Sequence, residues 1–229
     1  MSETDSFIEE VTDEVRKDRL YAYYKKYGWI VGLAIVLIVG GASYLEWSKS
    51  QAIVAAEARG DAIAVALSKK TPTEQVAALQ SLSADAGAAA VLLQFQEATI
   101  LIQDGQKGAA LAALDKIAQS DSTSPIYRDL ARFKALVLRG KDMDVAKRLT
   151  AFQGLATPGN ALRPLALEQI AIAKLDAGDE KAAIDQLKQL LEEPNLPAGV
   201  QQRAIQLLVS LGGEIPAQAQ LLSGNGTAQ

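Results

Sequence analysis

"AIAKLDAGDEKAAIDQLKQLLEEP", Ala171 to Pro194, decides how the rest of the chain is read. Good helix formers lie on both sides of Gly178-Asp179, and a glycine directly after a helix commonly takes the left-handed cap conformation. The stretch therefore reads as helix, tight turn, helix, with Pro194 stopping the second helix. The same punctuation occurs twice upstream. "ATILIQDGQKGAALAALDKIAQ", Ala98 to Gln119, turns at Asp104-Gly105, and "ARFKALVLRGKDMDVAKRLTAF", Ala131 to Phe152, turns at Arg139-Gly140. The three glycines are 35 and then 38 residues apart.

A helix pair recurring about every 34 residues is the tetratricopeptide period. Ala183 lies five residues after Gly178, where that pattern wants a small residue because the two helices approach closest there. Ala110 matches in the first unit. In the second, reading Lys141 as a one-residue insertion predicts Ala146 for the same place. Pro125, Pro158 and Pro194 separate the units, a last helix over Ala198–Leu211 caps the stack, and a polar tail follows. The aromatic residues of the consensus first helix are missing, so the repeats are degenerate. The fold class is all-α, a short α-solenoid of tetratricopeptide-like helix pairs preceded by a single transmembrane helix.

That helix is read from "KKYGWIVGLAIVLIVGGASYLEWSK", Lys25 to Lys49. From Tyr27 to Leu45 there is no charged residue, a run of 19. At about 1.5 Å per residue this spans roughly 28 Å, against about 30 Å of bilayer hydrocarbon. Tyr23, Tyr24, Tyr27 and Trp29 lie at one end and Tyr44 and Trp47 at the other, as interfacial anchoring predicts. Arg16, Lys17, Arg19, Lys25 and Lys26 precede the run, whereas Lys49 and Arg59 are the nearest cations after it. The N-terminus is thereby expected in the cytoplasm and the large C-terminal part outside it. A cleaved export signal needs a short basic start, and the segment here is long and mostly acidic, with "GGAS" at Gly40–Ser43 a poor cleavage site. A buried soluble helix is disfavoured because little else is apolar enough to wrap it. The GxxxG pair Gly28/Gly32 reads as glycines tolerated in a membrane.

Before the run, Ser6-Phe-Ile-Glu9 has capping-box spacing, and Phe7, Ile8, Val11 and Val15 form one apolar stripe. This predicts a small amphipathic helix at the membrane surface. After it, Glu46–Lys70 reads as an alanine-rich helical stalk. Thr71-Pro-Thr-Glu74 then opens a short helix to about Ser83, with Thr71 as N-cap and Pro72 at the first helical position. The expected organisation is a cytoplasmic segment at 1–26, the transmembrane helix at 27–47, a stalk and first helices at 48–84, the repeat domain at 85–212 and a flexible tail at 213–229.

The composition narrows the chemistry. Among 229 residues there is no cysteine and no histidine. Disulfides, thiolate chemistry and a Ser-His-Asp triad are excluded, and the commonest metal ligand is missing. Net charge is −4, with no basic field for nucleic acid. No phosphate loop, dinucleotide fingerprint or HExxH occurs. Glu192-Glu193 and Asp142/Asp144 read as solvated charge, and the glycosylation triplet at Asn225 as a chance match. No catalytic, cofactor or metal residue is expected, and the protein is read as a non-enzyme. What remains is the surface of the stacked pairs, where the first helices expose side chains to a peptide. Gln94, Glu97, Arg128, Arg132, Arg163 and Glu168 are candidates for exposed positions there.

Taken with the opening "DSFIEEVTDEVRKDRLYAYYKKYGWI", Asp5 to Ile30, this arrangement resembles the YfgM-like family of bitopic bacterial inner-membrane proteins, also described as ancillary SecYEG translocon subunits. The likeness covers nearly the whole chain and rests on architecture. It implies a single-pass inner-membrane protein with a periplasmic interaction domain beside the Sec translocon. The implied partners are SecYEG, membrane-anchored periplasmic chaperones and exported client proteins, besides the lipid bilayer. No catalytic residue is implied, and homo-oligomers are compatible with it. The alternative is a structural or assembly subunit of another inner-membrane complex.

Overall fold

The computed structural model describes residues 3–84 and 86–216, and leaves outside the described ones the side chains before Lys25 and those of Lys26–Gly28, Val31, Ile35, Ala52 and Ala88. The apolar stripe from Phe7 to Val15, the aromatics Tyr23, Tyr24 and Tyr27, and Asn225 with the tail beyond Pro216 therefore lie outside the described residues.

Every regular element among the described residues is helical. They are α1 (Glu3–Leu67), α2 (Pro72–Ser83), a 3₁₀ turn (Gly87–Ala89), α3 (Ala90–Gln103), α4 (Lys107–Gln119), α5 (Pro125–Arg139), a second 3₁₀ turn (Gly140–Asp142), α6 (Val145–Leu155), α7 (Arg163–Asp176), α8 (Glu180–Leu191) and α9 (Ala198–Ser210). The all-α class is thus established. Two compact units divide at Ala62/Ile63. The described residues of the first are all helical, and Ser6, expected to open a helix, lies inside one that already runs from Glu3. Among the described residues no helix is long and apolar enough to cross a membrane. Since the side chains of Val31 and Ile35, inside the charge-free run, lie outside the described ones, the anchor reading rests on the sequence.

In the second unit the helices pack in chain order, each against its successor. Thr71 caps α2 as expected: its Oγ1 accepts from the Glu74 N–H at 3.3 Å, and Glu74 Oε2 accepts from the Thr71 N–H at 3.4 Å. The end of α1 joins α2 and α3 in a small core of Ala66, Leu79, Leu93 and Ile100. This places Ile63–Leu67 and α2 with the compact unit. Further cores link α3, α4 and α5 through Ala98, Leu114 and Ala135, and through Val91, Ile117 and Ala131. The largest spans α5 to α9, around Phe152, Ile170, Leu187, Leu190 and Leu208.

Two of the three turn glycines do the same job. At the end of α3 the Gly105 N–H donates to Ile102 O and the Gln106 N–H to Leu101 O; at the end of α7 the Gly178 N–H donates to Leu175 O and the Asp179 N–H to Lys174 O. Both are Schellman motifs, with φ of 74° at Gly105 and 81° at Gly178. The turn after α5 differs. Gly140 has φ 52° and ψ −128°, and five residues rather than three separate the helices there. Replacing Gly178 by alanine puts a Cβ into a left-handed backbone, at a cost of about 1–2 kcal/mol. Thermal melts of Gly178→Ala are expected to show that loss; a melting temperature equal to the wild type would refute the turn assignment.

Candidate functional site

The irregular turn has a consequence for the helix it feeds. The fourth residue of α4 is Ala110, and that of α8 is Ala183; both are fully buried. The fourth residue of α6 is Arg148. The expected small residue, Ala146, is exposed instead. Counted from the turn glycine, the place lies eight residues on rather than five, so three residues are inserted and not one; the connection between the helices is two residues longer than in the other pairs. The Asp144 carboxylate caps α6 by accepting from the N–H groups of Ala146 and Lys147.

Arg148 is only 6 % exposed. It donates from Nη2 to Asp176 Oδ2 at 2.8 Å, and Lys141 Nζ reaches the other oxygen, Asp176 Oδ1, at 3.1 Å. Asp176 thus ties α7 to α6 and to the inserted turn. Burial raises its pKa, but the hydrogen bonds from Lys141 and Arg148 together outweigh that and hold it below the ordinary carboxylate value. The Arg148 Nε has no hydrogen-bond partner.

Of the successive helices from α2 to α9, α5 and α6 pack against each other least. Between them lies a cleft of about 330 Å³, lined by Asp115, Asp129, Arg132, Leu136, Arg139, Ala151, Gly154 and Leu155. Asp129, Arg132, Leu136 and Arg139 share one face of α5, and Ala151, Gly154 and Leu155 one face of α6. Leu136 and Leu155 form a buried apolar floor. Charges on the rim pair with each other: Arg139 Nη2 meets Asp115 Oδ2 at 2.6 Å, and Arg132 Nη1 meets Asp129 Oδ1 at 3.1 Å. Asn160 Nδ2 donates to the second Asp129 oxygen at 2.9 Å.

The candidate surface residues do not assemble into one exposed set. Arg132 lines the cleft. Gln94 lines a separate pocket with Ser120 and Ser124, and Glu97 accepts from Gln80 Nε2 on α2. Arg128 faces Asp121 at 3.6 Å. Glu168, expected to be exposed, is buried, and receives both Nε and Nη2 of Arg203 at 2.7 Å each, joining α7 to α9. Arg163 is half-buried and grips Glu193 through Nε and Nη2 at 3.0 and 2.6 Å, and also donates to Ala156 O. Its hydrogen bond lowers the Glu193 pKa. Glu193 is therefore a tether between α7 and the end of α8 rather than solvated charge. Asp142 meets Lys107 at 2.5 Å but stays exposed, as expected of solvated charge. Asp115, Asp129, Arg139 and Gly154 were not legible as a group; only the spacing along α5, once its partner helix is known, joins them.

Among the described residues no three acidic side chains lie so as to hold a metal ion. The chain matches no protein-family model, and no curated protein or solved structure is significantly similar to it.

Asp176→Asn leaves Arg148 as a buried charge without its counter-ion and should cost about 3 kcal/mol at neutral pH, whereas Arg148→Met should cost clearly less. A carboxylate with a lowered folded-state pKa contributes stability above its unfolded pKa of about 4, which is lost as pH falls through the folded value. The melting temperatures of wild type and of Asp176→Asn/Glu193→Gln should therefore converge as the pH falls from about 4 through the lowered folded-state values. A constant gap across that range would argue against both ion pairs.

Proposed function

We propose that the protein is a membrane-anchored protein–protein interaction scaffold, with a cytoplasmic N-terminus and a periplasmic, solenoid-like helical domain ancillary to the Sec translocon and to chaperones of exported proteins. One observation carries the anchor. Val36, Leu37, Ile38 and Val39 are consecutive in a helix, so at about 100° per residue they face every side. They are 58–71 % exposed, and Trp29, Leu33, Leu45 and Trp47 are exposed too. A protein partner covers one face of a helix; apolar side chains on all faces call for an all-round apolar solvent, and lipid is one.

The scaffold half of the proposal rests on the second unit. Several of its described charged residues tie one helix to another, no reactive constellation accompanies them among the described residues, and the cleft between α5 and α6 has a polar, ion-paired rim. Obligate subunit interfaces are more apolar than that, which favours transient binding over a permanent place in another complex. The Sec translocon as the site of action comes from the family resemblance.

Photo-crosslinking in native bacterial membranes tests it, with probes placed along α3, α5 and α7 and along Trp29–Trp47. Adducts with translocon subunits, periplasmic chaperones or nascent chains are the expected result. Reproducible adducts to one unrelated complex, with none to Sec components, would overturn it in favour of an assembly subunit.

A further inference from the structure

The second unit is stitched unevenly. From α2 to α5 each helix packs closely on the next, with Ala98, Leu114, Ile117, Ala131 and Ala135 buried between α3, α4 and α5. From α6 to α9 the packing is again continuous, and Arg148–Asp176, Arg163–Glu193 and Glu168–Arg203 tie those helices together. Between α5 and α6 it is thinnest, and no other pair of helices packs closely across that junction. Phe133 of α5 meets Phe152 of α6 edge-on, with ring centroids 5.9 Å apart, and Leu136 joins the apolar cluster of α6 to α9. Asn160 Nδ2, in the loop before α7, donates to Asp129 Oδ2 on α5 at 2.9 Å. Among the described residues no ion pair joins α2–α5 directly to α6–α9.

The connection between the two sets has its own pattern. Lys141 and Asp142 are neighbours, yet they are tied in opposite directions. Lys141 reaches forward to Asp176 at the end of α7, and Asp142 reaches back to Lys107 at the start of α4. Both residues are exposed, so each tie is weak. Just before them Gly140 holds φ 52° and ψ −128°, a backbone that glycine adopts at little cost. Two well-packed bodies, with sparse contact between them and a short segment pinned to both, have the construction of a hinge.

We propose that α2–α5 and α6–α9 swing as two bodies about Gly140–Asp144, and that the hydrogen bond between Asn160 and Asp129 is the latch that holds them together. Asp129 lies ten residues before Arg139 on the same helix, about 15 Å from the connection at 1.5 Å per residue. The latch therefore acts at the far end of the lever, with Phe133 and Leu136 between it and the pivot. The open space beside α5 gives α6 room to move. The inference goes beyond the scaffold reading and does not rest on it.

The chain has no cysteine, so introduced pairs carry spin labels without background. In the full chain in phospholipid nanodiscs, Lys116→Cys on α4 with Gln189→Cys on α8 reads across the junction. Ala77→Cys with Lys116→Cys reads within the first body, and Lys147→Cys with Gln189→Cys within the second; all four positions are exposed. Asn160→Asp removes the donor to Asp129 and sets two carboxylates face to face, while its oxygen still serves the Leu162 N–H. Double electron–electron resonance should show the cross-junction pair gaining weight at a second distance in Asn160→Asp. The ratio of open to closed should rise about tenfold or more, as expected for losing a hydrogen bond to a charged group. Both pairs within a body should stay unchanged. The swapped pair Asp129→Asn/Asn160→Asp restores a donor opposite a carboxylate and should return the wild-type distribution. Circular dichroism melts establish folding, and should Asn160→Asp fail that check, Asn160→Ser, too short to reach Asp129, replaces it. A cross-junction distance unmoved by loss of the latch, equal broadening within either body, or no recovery in the swapped pair would each overturn the proposal. None of these outcomes bears on the Sec assignment, which the crosslinks in native membranes test separately.

Discussion

The pairing of Arg148 with Asp176 is the constraint around which the second unit is arranged. Burying a guanidinium is costly unless it is paired, and the pairing obliges the end of α7 to stand where its carboxylate can meet α6. Lys141 completes the arrangement from the inserted turn, so insertion, buried cation and acid act together. Elsewhere the place held by Arg148 belongs to alanine, and the helices close upon each other. Here α5 and α6 pack less closely, and a cleft lies between them.

The same use of charge recurs along the unit. Arg139–Asp115 joins α5 to α4, Arg163–Glu193 joins the start of α7 to the end of α8, and Glu168–Arg203 joins α7 to α9. A chain with 5 % aromatic residues and many alanines has small core side chains, and its apolar contacts are split into several clusters. Half-buried Arg–carboxylate pairs add directional ties between neighbouring helices, where a core of alanines supplies close approach but little interlock. The first unit follows a different logic. Its described large apolar residues remain exposed, and no ion pair is described in it.

Much of the local structure was legible. Thr71 and Glu74 cap α2 because hydroxyl, carboxylate and spacing suffice for a capping box. Gly105 and Gly178 end their helices because only glycine accepts that backbone freely. Ala198 begins the last helix as expected. The errors have two origins. Glu168 was expected in solvent and Glu193 as free charge, and each has a partner far along the chain, while Ala146 was expected at the close approach and is displaced by the inserted turn. A pattern based on period locates turns but cannot count a 3₁₀ residue inside one, and two residues of slippage replaced alanine by arginine.

By itself the sequence determined that the chain is helical, where most helices begin and end, and that one stretch is apolar on every side. These are consequences of local propensity, capping and hydropathy, which act within a few residues. Only the tertiary structure decided which helices close and which stand apart, and which charges are buried as partners. Those outcomes depend on contacts between residues some thirty positions apart, such as Arg148 and Asp176, where burial sets the value of a charge.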